Sequence, residues 1–266
     1  MGLPPSGTVE RWAWDLIVAE DPRAKLSPPP PPRDWEEAPP SRRIARPGRP
    51  IGLETRARPT RATSASALRD PQKRARLLAT FLHHEVQAAE LMAWALLAFA
   101  DAPLAMRKGL LAIALDELRH VRMYGERIAA LGGLAWGDEP VNDWFWDRVP
   151  QAASPAHFVA TLGIGFEGGN LDHAARFAAR LRAAGDAEAA VIQERVGEEE
   201  IPHVRFAVHW FRALAHTLDF DHWRAHLAEP LTPTVTRSLP LNRRDRMRAG
   251  FEDAFLSRLE AWSPGS

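Results

Sequence analysis

The chain has no cysteine. Disulfides, thiolate metal sites, iron–sulfur clusters and cysteine nucleophiles are therefore excluded. It also has no net charge, with 34 basic and 34 acidic side chains among 266 residues, so no global field selects a nucleic acid or a membrane surface. No run reaches the roughly 18 apolar residues that a membrane span needs. The N-terminus "MGLPPSGTVERWAWDLIVAEDPRAK" lacks a basic region followed by an apolar run, so it does not read as a signal peptide. These absences together lead to the expectation of a soluble, cytoplasmic protein with no membrane partner. Tyrosine occurs once, at Tyr124. There is no flavin or nicotinamide fingerprint, so an oxygenase built on this chain needs an external electron donor. There is no Asn-Gly hairpin signal and no alternating strand pattern.

What remains is helical. Hydrophobic residues make up 45% of the chain, enough for one large core or two small ones. Residues 1–71 form the least regular part. A short amphipathic stretch near Val9–Ala19 precedes "LSPPPPPPRDWEEAPP" and "RPGRPIGLETRARPTRATSAS", which are too rich in Pro and Arg for regular structure. Between Arg42 and Arg76, eleven Lys/Arg face two acids, Glu54 and Asp70. The segment reads as an arm packed on the domain, with RNA or another polyanion as the sharper alternative. No aromatic interleaves the arginines, so the stacking half of a single-strand binding signature is missing.

Four long helical patterns follow within 72–221. The first opens at Asp70-Pro71, an N-cap and first-turn pair, and runs to about Ala100. The second ends at Gly132-Gly133. The third starts after Ser154-Pro155 and breaks at Gly185-Asp186. The fourth runs to about Leu218. The first and third connections are short and the middle one is long. That pattern predicts an all-α four-helix bundle with one long crossover. The region 222–266 predicts a C-terminal wrap, with "LNRRDRMRAGFEDAFLSRLEAW" as one short helix.

Each long helix carries an acid or an acid–histidine pair: Glu85, then Glu117 with His120, then Glu167, then Glu200 with His203. The i, i+3 spacing puts carboxylate and imidazole on one helix face. Glu85 and Glu117 are 32 residues apart, and Glu167 and Glu200 are 33 apart. Antiparallel helices joined by a tight turn bring such residues to one height, so the chain states the same half-site twice. Four carboxylates and two imidazoles are the ligand set of a two-metal carboxylate site. Two divalent cations would neutralise the four carboxylates, whose burial alone is prohibitive. Oxygen and imidazole ligands suit iron first, with manganese or zinc as alternatives. Glu90 competes with Glu85, but its offset to Glu117 breaks the match between halves.

Several neighbours are candidates for a supporting shell. His83 and His84 read as packing or outer groups. Asp116 and Glu199 each lie one turn before a histidine of the set and can orient it. Asn170 stands at i+3 from Glu167, where the other helices carry histidine; it can hydrogen-bond a ligand. Tyr124 lies one turn after His120. Gly163, Gly165, Gly168 and Gly169 crowd Glu167, leaving room for a substrate or for close helix packing. Pro202 sits between Glu200 and His203, where a helix-interior proline costs roughly 3 kcal/mol. A kink or bulge at 198–203 is the expected accommodation, and it would make the two metals inequivalent. No catalytic residue beyond the metal ligands is assigned.

At these residues the chain resembles the ferritin-like superfamily, through "EVQAAEL" and "DELRHVRMY". It is more closely similar to the DUF455 family of ferritin-like proteins, through "RPGRP", "HHEVQAAELM", "DELRHVRMYGERIAALG", "WGDEPVND", "FEGGNLDHA", "EEIPHVRFAVHWF" and "LNRRDRMRAGF". The superfamily resemblance implies a di-iron or related dimetal site at Glu85, Glu117, His120, Glu167, Glu200 and His203. Relatives in that superfamily store iron, reduce peroxide or hydroxylate substrates, including tRNA bases. Three functions are therefore expected in competition: an O₂- or peroxide-activating oxidoreductase acting on an unknown small molecule, a non-catalytic metal-binding protein, and an RNA-directed hydroxylase. A homodimer is compatible with each.

Overall fold

The computed structural model describes residues 2–50, 53, 55, 64, 66–136 and 140–264. Among them there is no strand, only the isolated bridges Thr8–Asp34 and Thr55–Val141, so the fold is all-α as expected. None of the described helices is long and apolar enough to cross a membrane. The chain divides into two compact units, Met1–Pro150 and Gln151–Ser266.

The first unit is built on two long helices, α3 (Pro71–Ala98) and α4 (Leu104–Ala130), preceded by α1 (Val9–Val18) and α2 (Pro22–Leu26). The Asp70 side chain caps α3 by accepting from the Gln72 amide at 2.9 Å, and Pro71 fills the first turn. The turn after Ala98 is short, so α4 returns against α3. Gly132 adopts φ +75 and closes α4, with the Gly133 amide bonding back to Ile128 O at 3.0 Å. Every residue of α3 from Glu85 to Ala98 is buried, which marks it as a core helix rather than a surface one.

That stretch includes Glu90, and the arm neutralises it. Lys25 Nζ lies 2.7 Å from Glu90 Oε1, and Arg49 clasps both oxygens at 2.6 and 2.9 Å. Trp146 Nε1 donates to Oε2 at 2.8 Å. Lys25 also donates to Leu16 O and Ile17 O, both at 2.8 Å, at the C-terminal end of α1. Arg49 continues to Asp143 at 2.9 Å, and His83 Nε2 meets the same carboxylate at 2.9 Å. The motif "RPGRP" is explained here. The Gly48 amide bonds Ile17 O at 2.8 Å, and a Cβ on Gly48 would overlap the Val18 carbonyl oxygen. Glycine lets the chain pass close enough to deliver Arg49.

Several described arginines of the basic segment are engaged internally. Arg42 pairs with Glu36 at 2.7 Å, Arg43 lies over Trp94 and Phe99, Arg46 meets Asp147 at 2.8 Å, and Arg74 donates to Leu68 O at 2.8 Å. Arg56, Arg58 and Arg61 of the expected polyanion patch lie outside the described residues.

The second unit holds α5 (Pro155–Phe158), a π-helical segment (Val159–Glu167), α6 (Gly168–Ala183) and α7 (Ala187–Ala215), followed by α8 (Phe220–Ala225), α9 (Arg243–Arg248) and α10 (Asp253–Ala261). The expected third helix is thus present, but it opens into wide π turns before Glu167. The Gly168 amide reaches back five residues to Gly163 O, the bond that defines such a turn. The glycines serve packing. A Cβ on Gly163 would overlap Ala207 Cβ of α7, and one on Gly197 would stand 2.8 Å from Ala174 Cβ of α6.

Two expectations fail in this unit. Pro202 neither bulges nor interrupts its helix, since α7 runs as α-helix from Ala187 to Ala215. Pro202 and Glu198, whose carbonyl loses its usual partner, are both exposed, so water can satisfy that oxygen. The C-terminal stretch forms two short helices rather than one, because Gly250 turns the chain at φ +101. Residues of the C-terminal stretch are held against α6 at Asp172. Asp172 accepts from Arg246 Nε at 3.0 Å and Nη2 at 2.8 Å, and from the amides of Ser238 at 2.9 Å and Asn242 at 2.8 Å.

Two outcomes follow from the first unit. Glu90→Ala leaves Lys25 and Arg49 buried without their counter-charge, and is expected to cost about 3–5 kcal/mol, read as a fall in urea midpoint. Acid should also destabilise. Burial alone would raise the Asp143 carboxyl, but hydrogen bonds from His83 and Arg49 hold it well below the usual carboxylate range. The unfolded chain then binds the proton more tightly than the folded one, so stability is complete above pH about 4 and declines below it. Asp143→Asn should flatten that part of the decline in acid-titration melts.

Candidate metal centre

In the first unit, α3 supplies Glu85 and α4 supplies Glu117 and His120. Each offers a ligand atom, and the three atoms lie within 4.8 Å of one another. All three residues are buried. His120 Nδ1 stands 3.0 Å from Glu117 Oε2, as one helical turn between a carboxylate and an imidazole allows. The short turn after Ala98 brings Glu85 to the height of Glu117. A buried group of two carboxylates and one imidazole is a donor set suited to a divalent cation.

The second unit repeats the chemistry. On α7, His203 Nδ1 stands 3.2 Å from Glu200 Oε2, matching the His120–Glu117 pair. Both residues are buried, as is Glu167, which is the last residue of the π segment. Asn170, on α6, donates from Nδ2 to Glu200 Oε1 at 3.1 Å. The residue types of the pattern thus recur in each unit, as Glu85, Glu117 and His120 in the first and Glu167, Glu200 and His203 in the second.

Glu90, the competitor to Glu85, is committed elsewhere. Its oxygens serve Lys25, Arg49 and Trp146. His83 belongs to the same network through Asp143, and burial pushes its imidazole below the ordinary histidine value, against the raising effect of Asp143. The outer candidates have varied surroundings. His84 is exposed, its ring 5.2 Å from that of Phe145. Asp116 pairs with Arg119, and Glu199 with Arg195 at 3.0 Å. Tyr124 is fully buried, its ring 6.0 Å from that of Phe81.

Two features around the half-sites carry no reading from sequence. One is the Lys25–Glu90–Arg49–Asp143 network, whose partners are distant in the chain; the arginine in "RPGRP" is its only local trace. The other is the π segment, for which the glycines of "GIGFEGG" are a signal. Carbonyls and hydroxyls of that segment are met by the wrap: Trp223 Nε1 donates to Ala160 O at 3.1 Å, and the Ala228 amide to Thr161 Oγ1 at 3.1 Å.

No curated protein and no solved structure matches this chain. A family model does, that of DUF455, described as a protein of unknown function, and it covers residues 11–257. With the match running from α1 to α10 and through both half-sites, the chain belongs to the DUF455 family.

Proposed function

We propose that this chain is a dimetal carboxylate protein, with iron as its metals, that activates O₂ or peroxide to oxidise an organic substrate. The observation that carries the proposal is the buried convergence of Glu85, Glu117 and His120 within 4.8 Å. The repetition of the same residue types at Glu167, Glu200 and His203 extends it to two ions. In this reading α3, α4, the π segment with α6, and α7 are the four helices of a ferritin-like bundle with one long crossover. Glu85, Glu117, His120, Glu167, Glu200 and His203 are the six ligands of this reading. Residues 1–71 are then the arm and residues 222–266 the wrap.

The donor set fits. Four carboxylates would balance two divalent ions in charge. Bound, the pair of ions would supply the O₂- or peroxide-activating redox chemistry. The residues do the rest. The two Glu-x-x-His pairs would each hold one ion from one helix, and Glu85 and Glu167 would complete the set. Burial keeps bulk water from the ligands and strengthens their electrostatic hold. Electrons come from an external donor.

Purified protein loaded anaerobically with Fe(II) and then exposed to air should consume O₂ and change its visible spectrum. Glu117→Ala should weaken metal binding by more than about 100-fold and remove O₂ uptake, whereas Glu90→Ala should retain metal. Ligand at a hundred times its dissociation constant should raise stability by about 2.7 kcal/mol, which a melt with and without chelator reads. A melting shift with no O₂ uptake would reject the oxidase reading and leave a structural metal site.

A further inference from the structure

The two half-sites share their ligand types but not their surroundings. Glu167 and Glu85 are equivalent in the repeat, so the position three residues on is Asn170 in one half and Ala88 in the other. Asn170 Nδ2 donates to Glu200 Oε1 at 3.1 Å. The other oxygen of Glu200 faces His203 Nδ1 at 3.2 Å. The carboxylate is therefore held at both ends, which fixes its plane. A methyl group at Ala88 has no donor to offer its half-site.

The local backbone favours this difference. The wide turns before Glu167 end where α6 begins, and Asn170 lies in the first turn of α6. Gly168 and Gly169 flank this point because a Cβ on Gly169 would press on Thr236 O at 3.2 Å, and one on Gly168 on Arg246 Nη1 at 3.3 Å. The wrap thus packs closely against the turn that carries Asn170, and the amide is delivered from a braced stretch of backbone.

We infer that Asn170 is a positioning residue for Glu200, and that it makes the two metal positions inequivalent. This rests on the dimetal reading above. A hydrogen bond to a ligating carboxylate orients it and draws charge from it, and such outer partners typically govern affinity by about 10–100-fold. The inequivalence expected from Pro202 thus has a different origin, in the side chain opposite rather than in the proline.

Titration of the metal-free full-length protein with Co(II) alone, under nitrogen and followed by visible absorption, tests this. The wild type should take up two ions in two resolvable steps. Asn170→Ala should weaken one step by about 10–100-fold and leave the other in place. Alanine is a good helix former, and a circular-dichroism melt confirms folding. Asn170→Ser, which restores a shorter donor, should recover part of the lost affinity. Two unchanged steps in Asn170→Ala, or two steps weakened equally, would overturn the positioning role. Wild-type protein that binds no Co(II), or a single ion, would instead overturn the dimetal reading itself.

Discussion

A carboxylate buried among apolar side chains must be given a positive charge, and helix α3 meets that demand at Glu90. Its oxygens receive Lys25, Arg49 and Trp146. Lys25 arrives from α2 and also caps the end of α1. Arg49 arrives from "RPGRP", and Trp146 from the segment that follows α4. One acid thus ties α2, the "RPGRP" segment and the segment after α4 to α3. Burial pushes the Lys25 ammonium below its ordinary value, opposed by Glu90, whereas Arg49 is driven further above its own by Glu90 and Asp143, despite its burial. Such networks hold a unique arrangement more than they add net stability.

Glu85 and Glu90 lie five residues apart on one buried stretch, and their roles differ. Glu90 is met by cations built into the chain. Glu85 converges instead with another carboxylate and an imidazole, a grouping that calls for a cation from outside. The same physical rule, that buried charge needs counter-charge, therefore separates an architectural acid from a candidate ligand on a single helix. The proposed dimetal chemistry depends on that separation.

The helices were legible because their periodicity and end signals are local. Asp70-Pro71, Gly132-Gly133 and Gly185-Asp186 mark boundaries that lie within a few residues of those observed. The buried group of Glu85, Glu117 and His120 was legible because Glu-x-x-His and the offset of 32 residues survive any detail of packing. The choice of Glu85 over Glu90 also rested on spacing, and the cations on Glu90 agree with it. The network itself was not legible, since Lys25 and Arg49 are 65 and 41 residues from Glu90 and their pairing exists only in three dimensions. Pro202 was misjudged, and the π segment was not foreseen. Proline announces a lost hydrogen bond, but on an exposed face water replaces it, and the helix continues. The glycines of "GIGFEGG" announce nothing so definite, yet the backbone changes its register there.

The wrap gives the second half-site a dependence on order of synthesis. Donors to Ala160 O and Thr161 Oγ1 come from Trp223 and Ala228, and the clasp on Asp172 comes from Ser238, Asn242 and Arg246. These residues leave the ribosome after every proposed ligand. Chains fold from the N-terminus as they emerge, so Glu85, Glu117 and His120 can assemble while the backbone around Glu167 still lacks its braces. A premature stop near residue 220 would spare every proposed ligand and still leave one of the two half-sites unfinished.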